Sequence, residues 1–266
     1  MDTPPPEAPP PPGPETPLPA VGDIISAGMR AGMDNAGLFF GLWAIFSFVP
    51  QLLGLVLMTA ATGMDKTAIA RAFETRDWAL AFPLAGFWLV MIALQIVGHA
   101  ATLAGCSRIL NGQTPGLTDA IRDGLRRTPS LVAAGIISAF ALLLALIAFI
   151  LPGMYLFVRL SMTSAAIVVE ERGPLSALSR AWRVTDGRFV DTAIFLLALF
   201  AIACAVMLGL GVAGVIAGLA GSVIGPGGRA AASAAVTALQ FQLLAWLALC
   251  SVQYFRELAV RTPSAG

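Results

Sequence analysis

Two ionisable side chains, His99 and Arg159, sit inside the apolar stretches of this chain, and each defines a different chemistry. A histidine at such a place is a ligand or a proton acceptor when a second His, Cys or carboxylate stands nearby. None does, so a neutral, hydrogen-bonded packing role is expected for His99. It is also the single histidine of the chain, which excludes a zinc site built from histidines. Arg159 follows a Pro152-Gly153 pair by six residues, which on a regular helix puts it ~9 Å below the outer boundary. There it either binds a lipid phosphate or a polar group of another span, or snorkels to the outer headgroups.

Acidic residues are absent from the apolar stretches except Asp191, at the very start of one. That argues against secondary transport through carboxylates, because something must carry or counter charge inside the membrane. No GxSxG, HExxH or phosphate-binding Gly-rich loop occurs, so a hydrolase site is not expected. Cys106, Cys204 and Cys250 have no metal-ligand spacing and read as packing residues. No cofactor and no metal are expected.

The remaining chemistry is that of guanidinium groups. Arg122, Arg126 and Arg127 lie on one short amphipathic stretch, and Arg180, Arg183 and Arg188 on or just after another. Leu117, Ile121 and Leu125 form the apolar stripe of the first, and Leu175, Leu178 and Trp182 that of the second. Such helices lie in a membrane interface with arginines reaching headgroup phosphates, although the same clusters also arise from fixing topology.

These stretches recur. Asp23, Ile25, Met29 and Arg30 fall beside Asp119, Ile121, Leu125 and Arg126, and beside Ser176, Leu178, Trp182 and Arg183, at equal offsets. Helix breakers follow each set: residues 34–37, then Thr128-Pro129, then Asp186-Gly187. Three units of interfacial helix plus two spans are predicted, over residues 21–106, 107–169 and 170–256.

Composition agrees with a membrane protein. Hydrophobic residues make up 58% and charged residues 12% of 266, where soluble domains carry roughly a quarter charged; the mean hydropathy is +0.83. Six spans are expected, at residues 38–62, 78–106, 131–151, 154–169, 189–220 and 230–254, with Pro152-Gly153 as a tight turn between the third and fourth. Gly37 to Gly41 and Gly214 to Gly218 match GxxxG, the spacing that lets helices approach closely. Residues 1–20 form a Pro-rich tail, carrying ten of the eighteen prolines, that cannot bury enough surface to order itself. Residues 257–266 form a short second tail.

Eleven basic residues gather on one side of these spans, against four on the other and Arg159 within. Positively charged loops resist translocation, so both termini are expected in the cytoplasm. Nucleic acid is not an expected partner; phospholipids are, with other membrane proteins or a second copy beside them.

Residues 151–190 hold a Pro-Gly pair (Pro152, Gly153), an acidic-Gly-Pro boundary (Glu170 or Glu171, Gly173, Pro174), an Ala-Leu-x-Arg-x-Trp helix (Ala177, Leu178, Arg180, Trp182) and a Gly-Arg exit (Gly187, Arg188). This order resembles the bacterial membrane domain fused to some glycerophosphoryl diester phosphodiesterases, and related stand-alone inner-membrane proteins of the YciC type. Ala181 replaces that family's usual Ser, and Asp186 a basic residue. The resemblance implies a multi-pass bacterial inner-membrane protein, and it carries over no catalytic residue, since the phosphodiesterase domain has no counterpart in these residues.

The expectation is an all-α membrane protein of six spans in three repeats. Its expected role is a non-catalytic scaffold or accessory protein that contacts phospholipid headgroups in envelope maintenance. The competing reading is a permease or channel for a small or lipid-like substrate, lined by Gln51, Gln95, His99, Tyr155, Arg159, Gln240 and Gln242.

Overall fold

A computed structural model describes residues 18–54, 78–224 and 226–262. The Pro-rich tail up to residue 17, the end of the first expected span, Lys66, Arg71 and Arg76, and Gly225 lie outside the described residues. Every described element is helical. In chain order they are α1 (Val21–Asp34), α2 (Ala36–Trp43), α3 (Trp78–Leu110), α4 (Leu117–Ala148), α5 (Ile150–Leu160), α6 (Thr163–Glu170), α7 (Pro174–Val184), α8 (Phe189–Ile224) and α9 (Pro226–Arg261). A π-helical turn, Ala44–Phe48, continues α2.

Among the described residues, six stretches are long and apolar enough to cross a membrane: Ala36–Gly54, Ala85–Leu110, Leu117–Ile147, Ile150–Glu170, Phe189–Ala220 and Ala238–Arg261. The chain is a multi-pass helical membrane protein.

The π turn has a local cause. Pro50 has no N–H to give the carbonyl four residues back, at Phe46, and the backbone bond skips to the wider spacing, Val49 donating to the Ala44 carbonyl. Gln95 of α3 fills the gap, its Nε2 donating to the Phe46 carbonyl at 3.3 Å and to Ser47 Oγ at 3.3 Å.

Two expected breaks are not breaks. Thr128-Pro129 lies inside the 32-residue α4, so residues 117–127 form the first turns of a span rather than a separate interfacial helix. An interior proline costs a helix about 3 kcal/mol, and here tertiary packing overrides it. A Cβ on Gly124 would stand 2.5 Å from the Ala101 backbone, which shows how tightly this part of α4 is held on α3. Pro152-Gly153 is likewise not the turn. The chain breaks at Phe149, whose φ of −167° leaves the helical region, and Pro152 sits in the first turn of α5, where no N–H is needed. Gly153 lets α5 fold back on α4, since a Cβ there would meet the Leu146 side chain at 2.4 Å.

Helix α1 is also more than an interfacial strip, because Gly28 and Gly32 press it onto α9. A Cβ at Gly28 would come within 2.7 Å of Cys250 Sγ, and one at Gly32 within 2.2 Å of the Trp246 ring. The GxxxG pair that packs closely is therefore Gly28-x-x-x-Gly32. Of the pairs singled out in the sequence, Gly37 and Gly218 face open space, Gly41 meets Leu117 and Gly214 meets Val236.

Helix α7 folds back along α6. Glu171 turns the corner in the left-handed region at φ 52°, and Pro174 takes the first helical position. A second corner, with Gly187 at φ +70°, launches α8, which pairs with α9 as a long antiparallel hairpin. Tyr254 stacks on Phe195 at 4.0 Å between ring centroids, and Thr192 meets its hydroxyl at 3.2 Å.

Candidate functional site

One end of the bundle collects α1, the C-terminal ends of α3, α6 and α9, the N-terminal ends of α4 and α8, and α7. Its arginines include those the sequence singled out, and the structure sorts them. Arg180 is turned inward: its side chain is 3% exposed, with Nε on Glu170 at 2.9 Å and its terminal nitrogens on the Thr262 and Ala259 carbonyls. It does not reach headgroups, because the face of α7 that packs against the protein consists of Ala177, Arg180, Ala181 and Val184, while Leu175 and Trp182 are exposed. Arg127 likewise serves the fold, donating to the Val168 carbonyl and to Glu171 at 2.6 Å. Arg183 is half-buried, and its Nε has no hydrogen-bond partner among the described residues. Arg188 is half-buried at the start of the α8 hairpin. Arg122 and Arg126 are exposed.

Arg159 neither snorkels outward nor waits for a ligand. Its Nε donates to the Tyr155 hydroxyl at 3.0 Å, one terminal nitrogen to the Trp182 carbonyl at 3.3 Å and Thr185 Oγ1 at 3.4 Å, and the other to Asp186 at 3.2 Å. The Tyr155 and Trp182 rings each lie 5.1 Å from the guanidinium carbon, within cation–π range. The fold-back of α7 brings these partners to the depth of Arg159, which a reading of spans one by one does not foresee. The resemblance residues sit at the corners of this device: Glu170 holds Arg180, Gly173 and Pro174 start α7, Ala177 and Leu178 line its protein side, and Gly187 starts the turn to α8.

His99 faces a different feature. A cleft of about 1160 Å³ opens among the end of the first span, α3, α4, α5 and α6. Its walls are mainly apolar, including Trp88, Met91, Ile92, Ile96, Leu131, Ile136 and Ile167, with Gln51, Gln95, His99, Ser138 and Thr163 as polar members. Trp88, Ile92 and Ile136 are more than half exposed, so the cleft is open to the outside. His99 makes no hydrogen bond among the described residues and lines this cleft. Of the seven residues proposed to line a permeation path, Gln51, Gln95 and His99 share this cleft. Tyr155 and Arg159 belong to the clamp described above. Gln240 and Gln242 lie on α9 outside the cleft, Gln242 buried.

A second, smaller recess of about 390 Å³ adjoins the cleft, with Ile167 lining both and the neighbours Ser130 and Leu131 lining one each. Arg108, Asp123, Arg126, Arg127, Ser130, Glu171 and Arg172 complete it. Arg108 pairs with Asp123 at 2.7 Å, Arg127 with Glu171 at 2.6 Å, and Arg172 with Glu170. Sequence reading flagged Arg126 and Arg127 but missed Arg108, Arg172 and Ile167, which come together only when α3, α4 and α6 meet. The charge cluster at residues 170–172, directly after an apolar stretch, was the available signal.

Among the described residues, no hydroxyl or thiol is hydrogen-bonded to His99. The arrangement offers an apolar slot with a guanidinium-lined mouth, within a multi-pass helical membrane protein. The chain belongs to a family of unknown function, DUF7544, which matches residues 2–264. No curated protein and no solved structure matches it.

Proposed function

We propose that this protein is a non-catalytic, multi-pass membrane protein that holds a lipid chain in the cleft beside α3 and α4. Its role would be that of a scaffold or accessory protein in envelope maintenance, with phospholipids as ligands and other membrane proteins or a second copy as neighbours. The observation that carries the reading is the apolar, outward-opening cleft at membrane depth. Water gains little in such a space, while a hydrocarbon chain fills it without stranding a polar group. Its volume of about 1160 Å³ exceeds the usual ~300–1,000 Å³ of small-molecule sites.

The distribution of basic residues supports a cytoplasmic arginine-rich end, and with it cytoplasmic termini. The resemblance to bacterial inner-membrane proteins supports that membrane as its location. The recurrence of Asp23 to Arg30, Asp119 to Arg126 and Ser176 to Arg183 supports an origin in three repeated units, whose first helices have since diverged in packing.

A phospholipid with a diazirine on its acyl chain, incorporated in nanodiscs with the full chain, tests the reading. Photolabelling is expected at Met91, Ile96 and Ala139 above the level on outward residues such as Leu208 and Val215, and Gly135→Phe, at a cleft position where an added Cβ meets nothing within 4 Å, should suppress it. Adducts confined to the outward residues reject the reading.

A second reading, passage of a lipid-like substrate, is favoured by His99 and Gln51 on the cleft wall. Movement of a fluorescent lipid between leaflets of proteoliposomes at rates above empty vesicles would establish it over the scaffold.

A further inference from the structure

Resting on the lipid-cleft reading, we infer that the recess selects the headgroup of that lipid, taking an anionic phospholipid whose phosphate is met by Arg126. Ile167 lines both spaces, so a molecule with its chain in the cleft has its polar end at the recess. Four guanidiniums line this space against two carboxylates, Asp123 and Glu171.

The pairing inside the recess decides which headgroup fits. Asp123 is held by Arg108 and Glu171 by Arg127, while Glu170, just outside, is shared by Arg172 and Arg180. Both recess carboxylates are already engaged by arginines, and four guanidiniums outnumber them, so a choline or ethanolamine ammonium would meet a surplus of positive charge. Arg126 has no ion-pair or hydrogen-bond partner among the described residues and is exposed. Its guanidinium is the group that can turn onto a phosphate bidentately, with the Ser130 hydroxyl one turn along the helix as a further donor. The partnered arginines act as positioning residues, fixed by their carboxylates to supply surplus positive potential. Arg122, one turn back on the same helix, is also exposed but lies outside the recess. It is the internal control.

Full-length protein in nanodiscs of equal phosphatidylglycerol and phosphatidylethanolamine, released into native mass spectrometry, reads both the amount and the class of retained lipid. Wild type should retain lipid enriched in phosphatidylglycerol by about five-fold, the effect of one basic residue near an anionic surface. Arg126→Gln should bring the ratio back towards that of the bilayer while total retained lipid stays unchanged, Arg126→Lys should keep most of the preference, and Arg122→Gln should leave it intact. Retention without class preference, or equal loss in Arg122→Gln and Arg126→Gln, overturns the headgroup assignment and leaves the cleft reading standing. A wild type that retains no lipid overturns both.

Discussion

The arginine-rich end and the opposite half of the bundle are built from similar apolar sequence yet hold together by different means. At the arginine-rich end, Phe39, Leu42, Ile167, Val184, Leu249, Phe255 and Leu258 are fully or almost fully buried, and a mesh of guanidinium contacts crosses between helices. In the other half, Phe140, Leu143 and Ile147 of α4 and Leu208, Val215 and Leu219 of α8 are each more than half exposed. The helices continue there as cylinders with few described neighbours, and the cleft opens between two of them. The contrast teaches that cohesion comes from one end, where small residues and shared carboxylates draw the helices together, and that lipid is the natural neighbour of the rest. Helices in a bilayer gain nothing from burying leucine against leucine rather than against lipid tails, so close packing and hydrogen bonds decide where they meet.

Removing a shared carboxylate should break this contrast most severely. Glu170→Ala leaves the Arg180 side chain, 3% exposed, without its anionic partner. Stranding a buried charge costs about 3–5 kcal/mol, so thermal unfolding in detergent should fall by about 10 °C. Asp186→Asn, whose carboxylate is exposed beside Arg159, should cost under about 1 kcal/mol in the same assay, as exposed ion pairs do.

Next in size is the glycine contact of α1. Gly32→Leu drives a side chain into the Trp246 ring and should cost about 2–3 kcal/mol, the range for overpacking. Amide hydrogen exchange should then rise across residues 21–34 while α3 and α4 stay protected. Gln95→Leu comes third, since it strands the Phe46 carbonyl at about 1–2 kcal/mol. That loss should shrink in a Pro50→Ala background, where residue 50 regains the N–H that Phe46 lacks; equal losses in both backgrounds would mean that Gln95 acts otherwise. The smallest effects belong to the open half. Phe140→Ala and Leu208→Ala should each shift stability by less than about 0.5 kcal/mol, and a larger loss would show packing there that the exposures do not.

Much of the architecture was legible because it depends on length and apolarity alone. Six apolar spans overlap the stretches that hydropathy marks, and α8 begins at Phe189 as expected, whereas the third span starts at Leu117 rather than at residue 131. What sequence could not supply were facts of tertiary packing. Pro129 looks like a stop until the backbone of Ala101 is found against Gly124. Gly28 and Gly32 carry the same spacing as Gly37 to Gly41 and Gly214 to Gly218, but they lie outside an apolar span, where that spacing carries no packing signal. Arg180 and Arg122 are indistinguishable on a helical wheel of charged and apolar residues; the first is buried only because α7 folds back beside the C-terminal end of α9. Arg159 appeared to sit near the outer surface because its depth was counted from Pro152-Gly153, whereas its partners come from a segment that returns from the other side. The cleft was half legible: Gln51, Gln95 and His99 were named together, but the apolar walls that define what it holds are unremarkable one residue at a time.

The most direct test of the central claim is a cryo-EM map of the full chain in nanodiscs containing phosphatidylglycerol. An elongated density is expected between Met91 and Ser138, ending in a compact feature beside Arg126. A map in which α3 and α4 close on each other, with Ile96 and Ala139 in direct contact and no density between them, would contradict it.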